Sequence, residues 1–225
     1  TGRWTRTGNL NVARYGHTLT LLDDGTVLAA RGSDSGDLEW TLSSAERYDP
    51  RTGTWSLAGD TGVGSVGHTA SLLADGRVLV AGGYSGGVGG GIAHVVTMLF
   101  DPATGAWSRA GDLLEPRYNH AATVLPGGEV LVAGGQYLIG GYPALSYHFP
   151  LPSERYGPGT TTWSRAADLA EERGKATMTL LADGTVLVAG GFVVGPDYGN
   201  VPIASVERYV TPNPLRERLV LPAGV

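Results

Sequence analysis

The chain has 225 residues, 36 of them glycine and 13 proline, with 42% hydrophobic and 16% charged residues; this describes a turn-rich folded protein and excludes a long-helix or disordered one. A net charge of −5 and a single lysine, Lys175, exclude a general binder of nucleic acid or anionic membrane, because counterion release needs clustered Lys and Arg. Cysteine is absent, which excludes disulfides and thiolate metal sites, and no apolar run approaches the roughly 18 residues of a membrane helix.

The chain repeats. Tryptophans stand at Trp4, Trp55, Trp107 and Trp163, and ten residues after each comes Arg14, Ser65, Arg117 or Arg173. Three residues later are His17, His68, His120 and, in the last copy, Ala176; eight further on are Gly25, Gly76, Gly128 and Gly184. A period of tens of residues marks a repeat architecture. Within a copy, His17, Leu19 and Leu21 alternate with Thr18, Thr20 and Leu22, a strand period. Asp24-Gly25, Asp75-Gly76, Asp183-Gly184 and Pro126-Gly127-Gly128 follow as hairpin turns. The return strand is VLVAGG in copies two to four, apolar enough to be covered on both faces. A variable stretch leads to a third strand ending at Tyr48, Phe100, Tyr156 or Tyr209, and the fourth strand carries the tryptophan. Each unit is thus a four-stranded meander that must stack on its neighbours.

Arg-x-x-His, the paired glycines, Glu-x-Tyr-Asp-Pro and the trailing Trp together resemble the kelch repeat, in the bacterial form found in galactose-oxidase-like proteins. The resemblance covers about residues 4 to 209 and implies an all-β, kelch-type β-propeller. The copper ion and Cys-Tyr crosslink of galactose oxidase cannot form without cysteine, so no cofactor is expected. Strand counting gives four blades: units of about 10–60, 61–112, 113–168 and 169–209, the last completed by residues 1–9 with Trp4, and a C-terminal tail of 210–225. A ring closed in this way is expected to be a monomer. The alternative is part of a larger propeller, or a ring built from more than one chain. The start at Thr1, without an initiator methionine, is compatible with removal of a leader or other residues, and the compartment is not read from the sequence, secretion being only weakly favoured.

Arg14, Arg117 and Arg173 occur with Glu46, Glu154 and Glu207, whereas copy two has Ser65 and Met98 at both positions. Joint loss points to buried structural ion pairs, because a lone partner would leave an uncompensated charge. His17, His68 and His120 could converge on a metal, but the alternation directs them between blades, so no metal site is assigned to them. The loops after the paired glycines differ among copies and are the expected binding face. They supply Arg31, Asp34 and Trp40; Tyr84 and the SGGVGGG stretch, read as flexible; Tyr137, Tyr142, Tyr147 and His148; and Asp197 and Tyr198. Aromatics beside carboxylates suit a carbohydrate ahead of a protein partner. The enzyme alternative is a sugar-modifying epimerase, lyase or oxidoreductase, or a His-ring metal enzyme, at the channel mouth; Arg31, Asp34, Tyr142, His148 and Asp197 would be its acid–base groups, with no catalytic residue assigned.

Overall fold

The computed structural model describes residues 2–36, 40–87, 90–139, 146–196 and 199–211, which form strands and turns without a helix. Unit 1 is one antiparallel sheet, β1 (Thr18–Leu21), β2 (Val27–Ala30), β3 (Ser44–Asp49) and β4 (Thr54–Asp60), paired in chain order. Unit 2 repeats it with β5 (Thr69–Leu72) and β6 (Val78–Ala81). A hairpin of β7 (Tyr84–Gly87) and β8 (Gly90–Ala93) follows, then β9 (Thr97–Asp101) and β10 (Ala106–Arg109). In unit 3, β11 (Ala121–Val124) and β12 (Val130–Ala133) precede the hairpin β13 (Tyr137–Ile139) and β14 (Ser146–His148). The sheet is completed by β15 (Pro152–Gly157) and β16 (Thr162–Asp168). Unit 4 contains β17 (Thr177–Leu180), β18 (Val186–Ala189), the hairpin β19 (Phe192–Val194) and β20 (Asn200–Pro202), and β21 (Val206–Tyr209). Its main sheet has three strands among the described residues.

The first turn of each unit follows from its sequence. Gly25 takes φ 81°, a left-handed conformation that L side chains rarely adopt, and its N–H donates to Leu22 O. Asp24 Oδ1 accepts the Thr26 N–H, and Asp75 and Asp183 make the equivalent bonds to Arg77 and Thr185.

The sheets stack in sequence, with β1, β5, β11 and β17 as successive neighbours. Between units 1 and 2, Leu22, Leu28, Ala30 and Ala45 meet Val78, Val80 and Phe100. Between units 2 and 3, Leu73, Leu79 and Leu99 meet Val130, Val132 and Tyr156; between units 3 and 4, Leu125 and Leu131 meet Val186. A VLVA strand is therefore buried on both faces, as a continuous apolar run requires. Tryptophan indoles stitch the junctions: Trp107 Nε1 donates to Ala58 O at 2.7 Å, and Trp163 Nε1 to Thr97 Oγ1 at 3.1 Å. A cavity of about 60 Å³ remains between units 3 and 4, bordered by Leu131, Ser153, Val188 and Tyr209.

The expected closure by the N-terminal segment does not occur. Residues 2–10 form no strand, Trp4 is fully exposed, and among the described residues no N-terminal strand pairs with β21. Residues 7–12 lie instead along unit 1: Gly8 N–H donates to Gly53 O at 2.9 Å, Gly8 O accepts from Trp55 Nε1, and Thr7 Oγ1 bonds the Tyr48 hydroxyl. Gly111 meets Thr161 of unit 3 by the same backbone bond. Residues 7–12 thus repeat the contact that the link after β10 makes with the following unit. Of the proposed C-terminal tail, residues 212–225 lie outside the described residues.

Candidate functional site

The charged repeat positions are interior. Arg14 Nη2 lies 2.7 Å from Glu46 Oε1, Arg117 Nη2 2.7 Å from Glu154 Oε1, and Arg173 Nη2 2.8 Å from Glu207 Oε1. Each arginine also donates to a carbonyl of the first glycine position: Arg14 to Arg31 O, Arg117 to Gly134 O, Arg173 to Gly190 O. Each glutamate accepts two backbone N–H groups, from residues 11 and 12, 114 and 115, or 170 and 171. Burial pushes the Glu46 carboxyl up, but the bonds from Asn11, Arg14 and Val12 hold it below its ordinary value.

Unit 2 solves the loss of this pair differently, and Arg31 is corrected from a ligand contact to an interior residue. It is completely buried, at φ 56°, and its side chain crosses into unit 2. Its Nη1 donates to Gly82 O at 3.0 Å and Ser65 Oγ at 3.1 Å, and its Nε to Thr61 Oγ1 at 3.1 Å. Arg31 therefore makes, from the neighbouring sheet, the carbonyl bond that an arginine at position 65 would make. Burial lowers its pKa to about 10, which still leaves it charged at neutral pH.

The histidines also point between sheets. His68 Nε2 lies 3.2 Å from Thr18 Oγ1 and His120 Nε2 2.9 Å from Thr69 Oγ1, each partner belonging to the preceding unit. Burial, reinforced by Arg31 for His68 and by Arg117 for His120, lowers both pKa values to about 3. Among the described residues no three His, Asp or Glu groups are placed to hold a metal.

The loop end is built by the hairpins that follow the paired glycines. Val66 bridges Tyr84, Tyr118 bridges Gln136 and Gly174 bridges Phe192, which seats each hairpin beside the lead into its own unit's innermost strand. Gly83 N–H to Arg117 O and Gly135 N–H to Arg173 O tie each glycine pair to the next unit. Within the SGGVGGG stretch, read as flexible, Tyr84–Gly87 pairs with Gly90–Ala93 in an antiparallel ladder, while residues 88–89 lie outside the described residues. A Cβ at Gly91 would lie 2.2 Å from the Tyr84 hydroxyl oxygen and 2.7 Å from Ser85 O, so a side chain there would displace its neighbours.

These hairpins gather aromatic and hydrogen-bonding groups. The Tyr84 and Tyr118 rings are 4.9 Å apart, Gln136 Nε2 donates to the Tyr118 hydroxyl at 2.9 Å, and Tyr137 stacks on His148 at 5.4 Å. Strands β8 and β13 are adjacent, so the hairpins of units 2 and 3 form one surface. Burial pushes the Tyr118 hydroxyl up to about 12 and also raises Tyr84, with Tyr147 adding to both. Burial lowers His94, which shares a 2.7 Å hydrogen bond with Ser85. With their pKa values raised, the Tyr84 and Tyr118 hydroxyls stay protonated at neutral pH, beside the Gln136 amide. Asp34 and Trp40 are exposed on the unit 1 loop. Tyr142, Asp197 and Tyr198 lie outside the described residues. Tyr118, Gln136 and His94 were absent from the sequence reading; their signal was position, directly beside the repeat arginine, the glycine pair and the second hairpin.

With this geometry the fold is that of a kelch-type β-propeller. The Kelch motif model matches residues 13–62, which is unit 1. The chain is similar to "Kelch-like protein 34" of Homo sapiens, 28% identical over 75% of this chain and 24% of that protein. It is similar also to "Kelch-like protein 36" of Bos taurus, 23% identical over 84% of this chain and 29% of that protein. The chain therefore spans about a quarter to a third of these relatives' length. A solved structure described as "Structure of YjhT" superposes with a TM-score of 0.70 at 14% identity, covering 89% of this chain and 67% of that one.

Proposed function

We propose that the chain is a protein-interaction propeller whose contact surface is the loop end of units 2 and 3. The observation that carries this reading is the Tyr84–Tyr118 ring pair, hydrogen-bonded to Gln136, between units whose hairpins lie side by side. Rigid aromatic rings with a polar tip supply large contact area at low entropic cost, the composition of interface hot spots. The kelch repeats shared with Kelch-like proteins support the same reading. A carbohydrate is the second reading, favoured by the stacked Tyr137–His148 pair and the Gln136 amide, which could face a sugar ring and its hydroxyls.

The test is a screen of the purified chain against a displayed peptide library and a glycan array, repeated with Tyr147→Ala and His148→Ala. Both side chains are exposed, so melting should not change. Peptide ligands whose affinity falls about 10-fold or more in these variants are expected, the effect of losing a contact of roughly 1.4 kcal/mol. Ligands that bind both variants unchanged would move the site elsewhere, and glycans alone would replace the protein reading with the sugar one.

A further inference from the structure

We propose that the first turns of units 1, 2 and 3, at the opposite end of the strands from the hairpin surface, bind a small alkylammonium ion, an ammonium group on a short apolar chain. A cavity of about 450 Å³ opens between these turns, within the roughly 300–1,000 Å³ that small-ligand sites span. Its wall is apolar. Leu72 ends β5 and Val124 ends β11, and Leu73, Leu125 and Pro126 follow them along the lining. Leu73 and Leu125 are 2% and 3% exposed and belong to the cores that join units 2 to 3 and 3 to 4, so the wall is held by packed interior. Gly128 leaves it open, because a Cβ there would meet no atom within 4 Å.

The polar group at this cavity is Asp23 of unit 1. It is the one charged residue at its repeat position, where the later units have Ala74, Pro126 and Ala182. Its side chain leans toward unit 2, since a Cβ on Gly76 would lie 3.2 Å from Asp23 Oδ2. The other carboxylates of the first turns each have an arginine: Asp24 with Arg47, Asp75 with Arg77, Glu129 with Arg155 and Asp183 with Arg208. Among the described residues Asp23 has neither an arginine nor a hydrogen bond. An uncompensated anion therefore borders an apolar recess. A cation with an apolar body answers both features: its N–H groups donate to Asp23, and its chain displaces water from Leu72, Val124 and Pro126. A carboxylate ligand would be repelled by Asp23, and a bare inorganic cation would leave the wall in water. The site does not involve the hairpins of the loop end.

The test is titration of the 225-residue chain at neutral pH with methylammonium, butylammonium and hexylammonium chloride, followed by calorimetry and by amide NMR shifts, with hexanol and hexanoate as controls. Affinity should rise about threefold per methylene added, with shifts concentrated at residues 72–74 and 124–128. Asp23→Asn should weaken hexylammonium several-fold, as expected for an exposed ion pair. Ala74→Trp, which fills the cavity and leaves Asp23 in place, should abolish binding. Both positions are exposed, and melting by circular dichroism checks that each variant folds. Absence of saturable hexylammonium binding, affinity that ignores chain length, equal binding of hexanol or hexanoate, unchanged binding in either folded variant, or shifts at the hairpins instead would each overturn the proposal.

Discussion

Arg31 and Ser65 belong to different units, yet one replaces what the other lacks. Mutating Arg31→Gly should suit the left-handed backbone there but empty the space between units 1 and 2, costing about 1–3 kcal/mol for the buried groups left without partners. Adding Ser65→Arg with Met98→Glu should return much of that stability by rebuilding the arrangement of the other three units; urea melts that show no recovery would refute the equivalence. In unit 3, Arg117→Met alone should cost about 3–5 kcal/mol by stranding Glu154, and Arg117→Met with Glu154→Met should cost less than the sum of the single changes. The joint loss of arginine and glutamate in copy two was legible from the chain alone. The destination of Arg31 was not, because a residue beside a glycine-rich loop reads as exposed, and only the packed neighbour shows the carbonyl it reaches. Histidines set the pH response at this scale. His68 and His120 have folded pKa values near 3, below the ordinary value of about 6.5. Their contribution to stability is intact above that value and declines as pH falls toward 3, by about 1.4 kcal/mol per pH unit for each. Between pH 6.5 and 4.5, before most carboxylates titrate, His68→Gln combined with His120→Gln should flatten the fall of Tm; an equally steep fall in that variant would remove them as its cause.

Among the elements, the hairpins after the glycine pairs differ most from their sequence reading. Glycine-rich segments suggest flexibility, yet Gly86 and Gly91 pair across a ladder, and the ring of Tyr84 takes the room that a side chain at position 91 would need. A Gly91→Ala change should displace Tyr84 and break its contact with Tyr118 at a cost on the order of 1 kcal/mol. Ring resonances of Tyr118 that stay unmoved would show that the hairpin accommodates the methyl group by another route. The four-stranded meander itself was readable, since strand alternation, Asp-Gly turns and the tryptophan strand each leave a local mark. The hairpins were not, because each depends on a bridge to a residue about 18 positions earlier, as Tyr118 to Gln136.

Across the molecule, counting strands predicted that Trp4 would complete unit 4, whereas residues 7–12 rest on unit 1 and Trp4 is in solvent. The succession of junctions between sheets also decides how the protein comes apart. Each sheet leans only on those beside it, so its stability is a sum of local sheet terms and the contacts between adjacent sheets. Among the described residues, units 2 and 3 are packed from two sides, units 1 and 4 from one. Amide protons of β6 and β12 should therefore outlast those of β18 in hydrogen exchange, and pulling on the C-terminus should release unit 4 first, while the surface formed by the two middle hairpins stays whole.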